Sequence, residues 1–306
     1  MRRFHPFAID ILLPLVLDIK VPLSTINGSP DLILRLQELP MIPCCASRTP
    51  CHSVSRRLRR RLGFTLIEVV IVVGIIGILL SLTVPAMRTL RLAALNTEDL
   101  SQIRQLGLAH RAYQQVHNDW FVDVGLPHGG YGDEARSFVE VLEPYIGTAI
   151  MQSPLDSSSH WEAGYSEGEE VTPALRRTSY GMNNYLSRNY SPAVALNGPG
   201  SAADRITKVK RPDQLVCFLH MTPNGAYAVS DHPHVESWSF GSEPWTLANN
   251  QVAISAAEGA QNVNELAESN YSFVDGSTGT RAFNTLYQTV QYNRFDPDAK
   301  IPLAGG

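Results

Sequence analysis

Residues 59–68 read Arg-Arg-Arg-Leu-Gly-Phe-Thr-Leu-Ile-Glu and lead directly into an apolar segment that ends at Pro85. The 21 residues from 64 to 84 carry one formal charge, on Glu68. At about 1.5 Å per residue, a helix of that length crosses the roughly 30 Å hydrocarbon core of a membrane. A carboxylate inside such a segment is unfavourable unless another group compensates its charge. The stretch therefore predicts a membrane span that carries a functional carboxylate.

This arrangement resembles the N-terminal processing signal of type IV pilins and type II secretion pseudopilins. In that family a prepilin peptidase cleaves after the glycine and methylates the new N-terminal phenylalanine, and the glutamate stays in the mature helix. The resemblance implies cleavage between Gly63 and Phe64, an assembly role for Glu68, and helix flexibility at Gly77 and Pro85. It also implies a set of partners: the prepilin peptidase, other pilin-like subunits, the inner-membrane assembly machinery and membrane lipid.

Elementary electrostatics supports the assembly role of Glu68. Cleavage would leave an ammonium group on Phe64, and an unpaired carboxylate is strongly disfavoured in a low dielectric. Glu68 of one subunit can pair with the Phe64 ammonium of its neighbour, and this pairing would set the axial register of subunits in a filament.

Two simpler interpretations explain part of the pattern. An ordinary signal anchor would keep the arginines of residues 56–61 in the cytoplasm under the positive-inside rule. A cleaved secretory peptide would use residues 84–86, Val-Pro-Ala, as a small-residue cleavage site. Neither explains why a carboxylate follows the start of the apolar run, so the prepilin interpretation is preferred.

Residues 1–63 are predicted to form a leader that is removed, with an over-extended upstream part. A start at Met41 would leave a leader of 23 residues that still ends in the arginine cluster. Three of the four cysteines, Cys44, Cys45 and Cys51, lie in this leader, and their spacing fits no zinc pattern. Cys217 alone follows the cleavage point, so no intrachain disulfide is expected in the processed chain.

Charge separates the leader from the rest of the chain. Of the 25 Lys and Arg and the 29 Asp and Glu, 10 and 4 respectively lie in residues 1–63, so residues 64–306 carry a net charge of −10. An acidic surface without a basic stripe excludes nucleic acid as the main partner.

After the membrane half of the helix (64–85), residues 86–117 continue with apolar side chains at three-to-four spacing. We expect one helix of residues 64–117, ended by Asn118 and Asp119, and Gly107 is expected to allow the close approach of a strand. His110 and His117 lie one helical face apart, and a structural pair is favoured over a metal site.

Residues 118–306 predict a globular domain, so that the chain has an α+β fold: a long N-terminal helix packed on an antiparallel sheet. Residues 138–146 predict a short helix that stops before its proline. Residues 215–219 predict a strand with a hairpin partner at 226–229, across Asn-Gly. Residues 271–277 predict a second strand and a tight Asp-Gly turn.

Two further stretches resemble a large group of pilin-like proteins. Residues 178–185, Thr-Ser-Tyr-Gly-Met-Asn-Asn-Tyr, match its Ser-Tyr-Gly-Met-Asn stretch, and residues 270–276 match the strand before its C-terminal Asp-Gly. That group carries a histidine ten positions before the aspartate, where this chain has Glu265. The departure leaves the fold resemblance intact but gives no support for a role tied to that histidine.

The chain offers few candidates for metal binding or catalysis. His232 and His234, with Asp231 or Glu236, have the spacing of a strand-borne metal pair, but the surrounding residues favour a loop, so no metal is assigned. Calcium is conceivable at two acidic stretches, for which solvated surface is the preferred interpretation: Asp296 with Asp298, and Glu167 with Glu169 and Glu170. A Gly-x-Ser-x-Gly elbow and a phosphate-binding loop are both missing, and Cys217 lies in an apolar run, so an enzyme is not predicted.

The sequence thus predicts a structural subunit of a pilus or a type II secretion pseudopilus. It would span the inner membrane once before assembly, with its C-terminal domain periplasmic or extracellular. The alternative is a membrane-anchored envelope protein that binds a glycan or calcium and does not polymerise. Exposed loops containing Trp161, Trp238 and Trp245 would be compatible with that alternative.

Overall fold

The computed structural model describes residues 63–126, 133–164 and 174–302. Its first element is the helix α1 (Leu66–Val116), whose 51 residues extend over about 77 Å. Thr65 has extended backbone angles and caps the first turn. Asn118 and Asp119 follow the last turn, and their φ values of 52° and 64° end the helix. The predicted long continuous helix is confirmed.

Within the described residues, three shorter helices and six strands follow α1, joined by several turns of 3₁₀ helix. The helices are α2 (Phe138–Ile146), α3 (Pro192–Asn197) and α4 (Pro244–Asn249). The strands are β1 (Tyr180–Met182), β2 (Val216–His220), β3 (Glu268–Phe273), β4 (Thr278–Ala282), β5 (Tyr287–Thr289) and β6 (Tyr292–Asn293).

Four strands form one antiparallel sheet in the order β1-β2-β3-β4, and β5 pairs with β6 separately. β2 is buried along its whole length, as expected for a central strand with an element on each face. The register between β2 and β3 shifts between Val216 and Phe218. The α+β fold class is confirmed.

The predicted Asp-Gly turn joins β3 to β4. Gly276 has a φ of 88°, a left-handed conformation that glycine adopts without strain, and its N–H donates to the Phe273 carbonyl at 2.9 Å. Gly107 of α1 lies against the same hairpin: a Cβ added there would come within 2.6 Å of Ser272 Oγ. The predicted close approach of a strand at Gly107 is therefore confirmed.

The sheet separates two apolar cores. The first contains residues of α1, α2 and β1, among them Ile103, Leu106, Phe138 and Met182. The second lies around Trp238, which is fully buried and touches the rings of Phe283, Tyr287 and Phe295. The expectation that Trp238 belongs to an exposed loop is wrong, because its indole fills the centre of this second core.

Two local predictions are also wrong. Ala226–Val229 is a turn of 3₁₀ helix and not a hairpin partner, because both edges of β2 are already paired with β1 and β3. α2 continues through Pro144 to Ile146 and does not stop before the proline. Its N-terminus is capped by Ser137, and Gly147 closes the last turn by donating to the Glu143 carbonyl at 2.7 Å.

Candidate functional site

The proposed cleavage point lies in an open part of the chain. Gly63 precedes α1, and a Cβ added to it would have no neighbour within 4 Å. Phe64, the next residue, keeps 86% of its surface exposed. Both residues are exposed, and cleavage between them stays a prediction.

Glu68 and Thr65 form a capping box at the start of α1. The N–H and the hydroxyl of Thr65 each donate to Glu68 Oε2 at 2.8 Å, and the Glu68 N–H donates to Thr65 Oγ1 at 3.3 Å. These donors are neutral, so they solvate the carboxylate without cancelling its charge. No ion pair of the described residues includes Glu68.

In the half of α1 that follows Glu68, no part of the described chain packs on the apolar side chains. Every large apolar residue from Leu66 to Leu82 is about half exposed or more. Among the described residues, α1 is the one helix long and apolar enough to cross a membrane. The helix continues through Gly77, where an added Cβ would have no neighbour within 4 Å. It also continues through Pro85, which has no N–H, so the Ser81 carbonyl lacks its helical donor.

A buried polar cluster, which the sequence did not reveal, lies further along the same helix. Asp99 is fully buried and its two oxygens accept four hydrogen bonds. Ser153 Oγ and Tyr180 Oη donate to Oδ1 at 2.5 and 2.8 Å, and Asn270 Nδ2 and His220 Nε2 contact Oδ2 at 2.7 and 2.8 Å. We call these five residues the Asp99 cluster. It ties α1 to β1, β2 and β3 at once.

The electrostatics of the Asp99 cluster favours a charged carboxylate. Burial by itself would raise the pKa of Asp99, but the nearby His220 and the hydrogen bonds from His220, Asn270 and Ser153 outweigh it and lower the pKa to about 2. One signal was visible in the sequence: Asp99 lies four and seven residues before Ile103 and Leu106, on the stripe that packs into the first core. A polar residue at such a position needs buried partners.

The metal candidates His232 and His234 lie in an irregular segment, as the loop interpretation expected. Their ring centroids are 5.4 Å apart, and each ring contacts its own carboxylate. His232 Nδ1 is 2.8 Å from Asp231 Oδ1, and His234 Nδ1 is 3.0 Å from Glu236 Oε1. Within residues 63–126, 133–164 and 174–302, no group of three or more His, Cys, Asp or Glu side chains is arranged to hold a metal.

The two helix histidines have separate surroundings. His110 is buried, with Nε2 accepting from the Val122 N–H at 3.4 Å and Nδ1 at 3.2 Å from Cys217 Sγ. Because a backbone N–H can only donate, the neutral ring carries its proton on Nδ1 and donates it to sulfur. His117 is exposed and stacks on Tyr113 with centroids 3.8 Å apart. The expected buried or semi-buried structural pair is therefore wrong, because His110 is buried in the domain whereas His117 is exposed and has different partners.

Two acidic stretches and Glu265 were singled out in the sequence. Glu167, Glu169 and Glu170 lie outside the described residues. Asp298 is 3.3 Å from Lys210 Nζ, and Asp296 accepts from the Asp298 N–H at 2.9 Å. Glu265 is exposed, and its carbonyl accepts from the Asn284 N–H at 2.8 Å.

Residues 58–84 match a family model described as the prokaryotic N-terminal methylation motif. The chain therefore carries a type IV pilin-like prepilin signal, followed by a single apolar helix that fits an inner-membrane anchor. The match covers the signal and the membrane half of α1, and the globular domain lies outside it. No curated protein and no solved structure matches the chain.

Proposed function

We propose that this protein is a pilin-like structural subunit, cleaved after Gly63, methylated on Phe64 and assembled into a pilus or a type II secretion pseudopilus. The observation that carries the proposal is Glu68, a carboxylate on an otherwise apolar helix segment that no other part of the described chain covers. It lies within the matched methylation motif.

The chemistry of assembly follows from the surroundings of Glu68. In the uncleaved chain, Thr65 donates two hydrogen bonds to the carboxylate but supplies no positive charge. Cleavage converts the amide nitrogen of Phe64 into an ammonium group. The ammonium of a neighbouring subunit then supplies the missing charge, and in a low dielectric this pairing is worth far more than in water.

Helix packing would hold the filament together once the register is set. In lipid the hydrophobic effect does not drive helices together, so helix association depends on close van der Waals contact. Gly74 and Gly77 present helix surface with no side chain and no neighbour within 4 Å, which allows close approach of another helix.

The arginines before Gly63 would stay in the cytoplasm under the positive-inside rule, so that α1 crosses the inner membrane once. Residues 118–306 would then lie on the periplasmic or extracellular side. The partners are the prepilin peptidase, other pilin-like subunits, the assembly machinery and lipid, and the role is structural and not enzymatic.

Mass spectrometry of the protein purified from cells that contain the peptidase tests the processing step. We expect N-methylated Phe64 as the first residue, and Gly63→Leu should block cleavage while Gly77→Leu leaves it unchanged. A wild-type protein that retains its arginine-rich segment would overturn the proposal.

Cysteine cross-linking in membranes tests the assembly step. Glu68→Leu should insert normally but lose intersubunit cross-links, because the ammonium of Phe64 then has no carboxylate to pair with. Glu98→Leu, which changes another exposed glutamate of the same helix, is the matched control and should cross-link like the wild type. Normal cross-linking of Glu68→Leu would refute the pairing mechanism.

The same cross-linking assay distinguishes the proposed subunit from the alternative, a membrane-anchored binding protein that does not polymerise. If the wild-type chain is processed to Phe64 but remains monomeric, the helix serves as a tether. Processing and polymerisation are therefore judged by independent measurements.

A further inference from the structure

A cavity of about 350 Å³ lies at the end of α1 that is far from the membrane half. Its described lining consists of Tyr113, Phe121, Asp123, Ala135, Arg136, Val141 and Arg188. Tyr113 comes 45 residues after Glu68, which is about 68 Å along the helix. The cavity has the size of a small-ligand site and combines apolar walls with a few charged groups.

The one carboxylate in the described lining, that of Asp123, is held in place by neutral donors. Asp123 Oδ1 accepts from Ser187 Oγ at 2.6 Å and from the Val124 N–H at 3.0 Å, and Oδ2 accepts from Asn189 Nδ2 at 2.8 Å. Asp123 is buried, so these bonds hold it as part of the wall. Its charge is not paired with either arginine side chain of the lining.

Arg188 has an incomplete set of partners. Its guanidinium packs over the Trp120 ring at 4.2 Å, and Nη2 donates to the Phe121 carbonyl at 3.3 Å. Nε is buried and forms no hydrogen bond within the described residues, with Asp204 Oδ2 at 3.7 Å. Asp204 is shared with Lys208, at 2.9 Å, and with Arg205, so one carboxylate faces three cations.

Arg136 adds a second guanidinium to the lining. It pairs through Nε with Asp133 at 2.8 Å, and both side chains are more than half exposed. An exposed pair of this kind contributes little stability and leaves the two terminal nitrogens of the guanidinium able to bind another anion. The described lining therefore carries two guanidinium groups and one carboxylate, an excess of one positive charge.

We propose that this cavity binds a small organic carboxylate of sugar-acid size, with Arg136 and Arg188 holding the carboxylate and the Tyr113 ring and Val141 contacting the carbon skeleton. A guanidinium fork matches the two oxygens of a carboxylate, and the apolar wall accepts the carbon face of a ring. The inference does not depend on whether the subunit polymerises.

The test is a titration of the full-length protein in detergent with four probes: galacturonate, galactose, acetate and inorganic phosphate. Galacturonate should bind most tightly, because galactose has the ring without the carboxylate, and acetate has the carboxylate without the ring. Tighter or equal binding of galactose, acetate or phosphate would refute the proposal, as would the absence of galacturonate binding.

Variants place the binding in the cavity. Arg136→Gln should weaken galacturonate binding by about tenfold or more, as expected for a lost charge-assisted hydrogen bond. Arg177→Gln is the matched control, because Arg177 pairs with Glu134 and Glu140 on the surface and does not line the cavity. Equal affinities of the two variants would overturn the assignment. Arg188→Lys, which keeps the charge but loses the fork, should also weaken binding, with thermal unfolding used to confirm that it is folded.

Discussion

Two carboxylates on one helix, Glu68 and Asp99, have opposite surroundings. Glu68 is exposed, and its side chain bonds only to Thr65 within the described chain. Asp99 is fully buried, and four side chains from other elements contact its oxygens. The first is left for a partner outside the subunit, whereas the second is satisfied within it.

The same contrast applies to the two halves of α1. The apolar side chains of the first half are exposed, while Ile103, Leu106 and Ala109 of the second half are buried in the first core. Stability of the domain should therefore depend on the second half, and assembly on the first.

The largest expected effect is that of Asp99→Ala. Removing the carboxylate leaves His220, Tyr180 and Asn270 without their buried partner, and breaking a buried charged network costs about 3–5 kcal/mol. Chemical denaturation in detergent should show this loss for Asp99→Ala and no loss for Glu68→Gln. A stable Asp99→Ala domain would show that the cluster does not hold the helix to the sheet.

The second prediction compares glycines in the two halves. Gly107→Leu places a side chain where even a Cβ meets Ser272 Oγ at 2.6 Å, and overpacking of this kind costs about 1–3 kcal/mol. Gly74→Leu meets nothing within 4 Å and should leave the unfolding of the domain unchanged. Equal unfolding free energies for the two variants would contradict the observed packing.

The third prediction concerns pH. Burial, with a smaller effect of the Arg111 charge, lowers the pKa of His110 from 6.5 to about 3. Below pH 6.5 the unfolded chain therefore binds a proton at this histidine that the folded chain does not bind. The free energy of unfolding keeps its full value above pH 6.5 in this respect and decreases as the pH falls towards 3. Near pH 5.5 the loss is about 1.4 kcal/mol.

Denaturation curves of His110→Gln should lose this part of the pH dependence, even though the variant is less stable overall. His117→Gln, a change at an exposed position of the same helix, should retain it. An unchanged slope in His110→Gln would show that another group titrates. Below about pH 4, protonation of Asp99 adds a further loss, because its lowered pKa makes the folded state favour the charged form.

The smallest effect concerns the thiol of Cys217, which is buried in β2. Its burial raises the pKa of the thiol well above the usual range. Maleimide should not label this residue in the native protein and should label it fully in denaturant, as read by mass mapping of its peptide. Native labelling would mean that the central strand opens readily.

Local sequence rules gave correct predictions where the structure depends on residues that are close together in the chain. The length of α1, its end at Asn118 and Asp119, and the Asp-Gly turn of β3 and β4 follow from periodicity and backbone preference. They failed where the outcome depends on distant residues. Ala226–Val229 has strand composition, but the edge of β2 that it would have used is paired with β3, which begins about forty residues further along the chain.

The methylation motif, the membrane-length apolar run and the lone carboxylate within it can be read from the order of residues, because each is a property of consecutive residues. Tertiary structure alone decided that Asp99 is charged and satisfied, that His110 and Cys217 meet, and that Arg136 and Arg188 line one cavity. These contacts join residues from 50 to more than 150 positions apart, and hydrogen bonding and burial depend on distance in space, which the order of residues does not state.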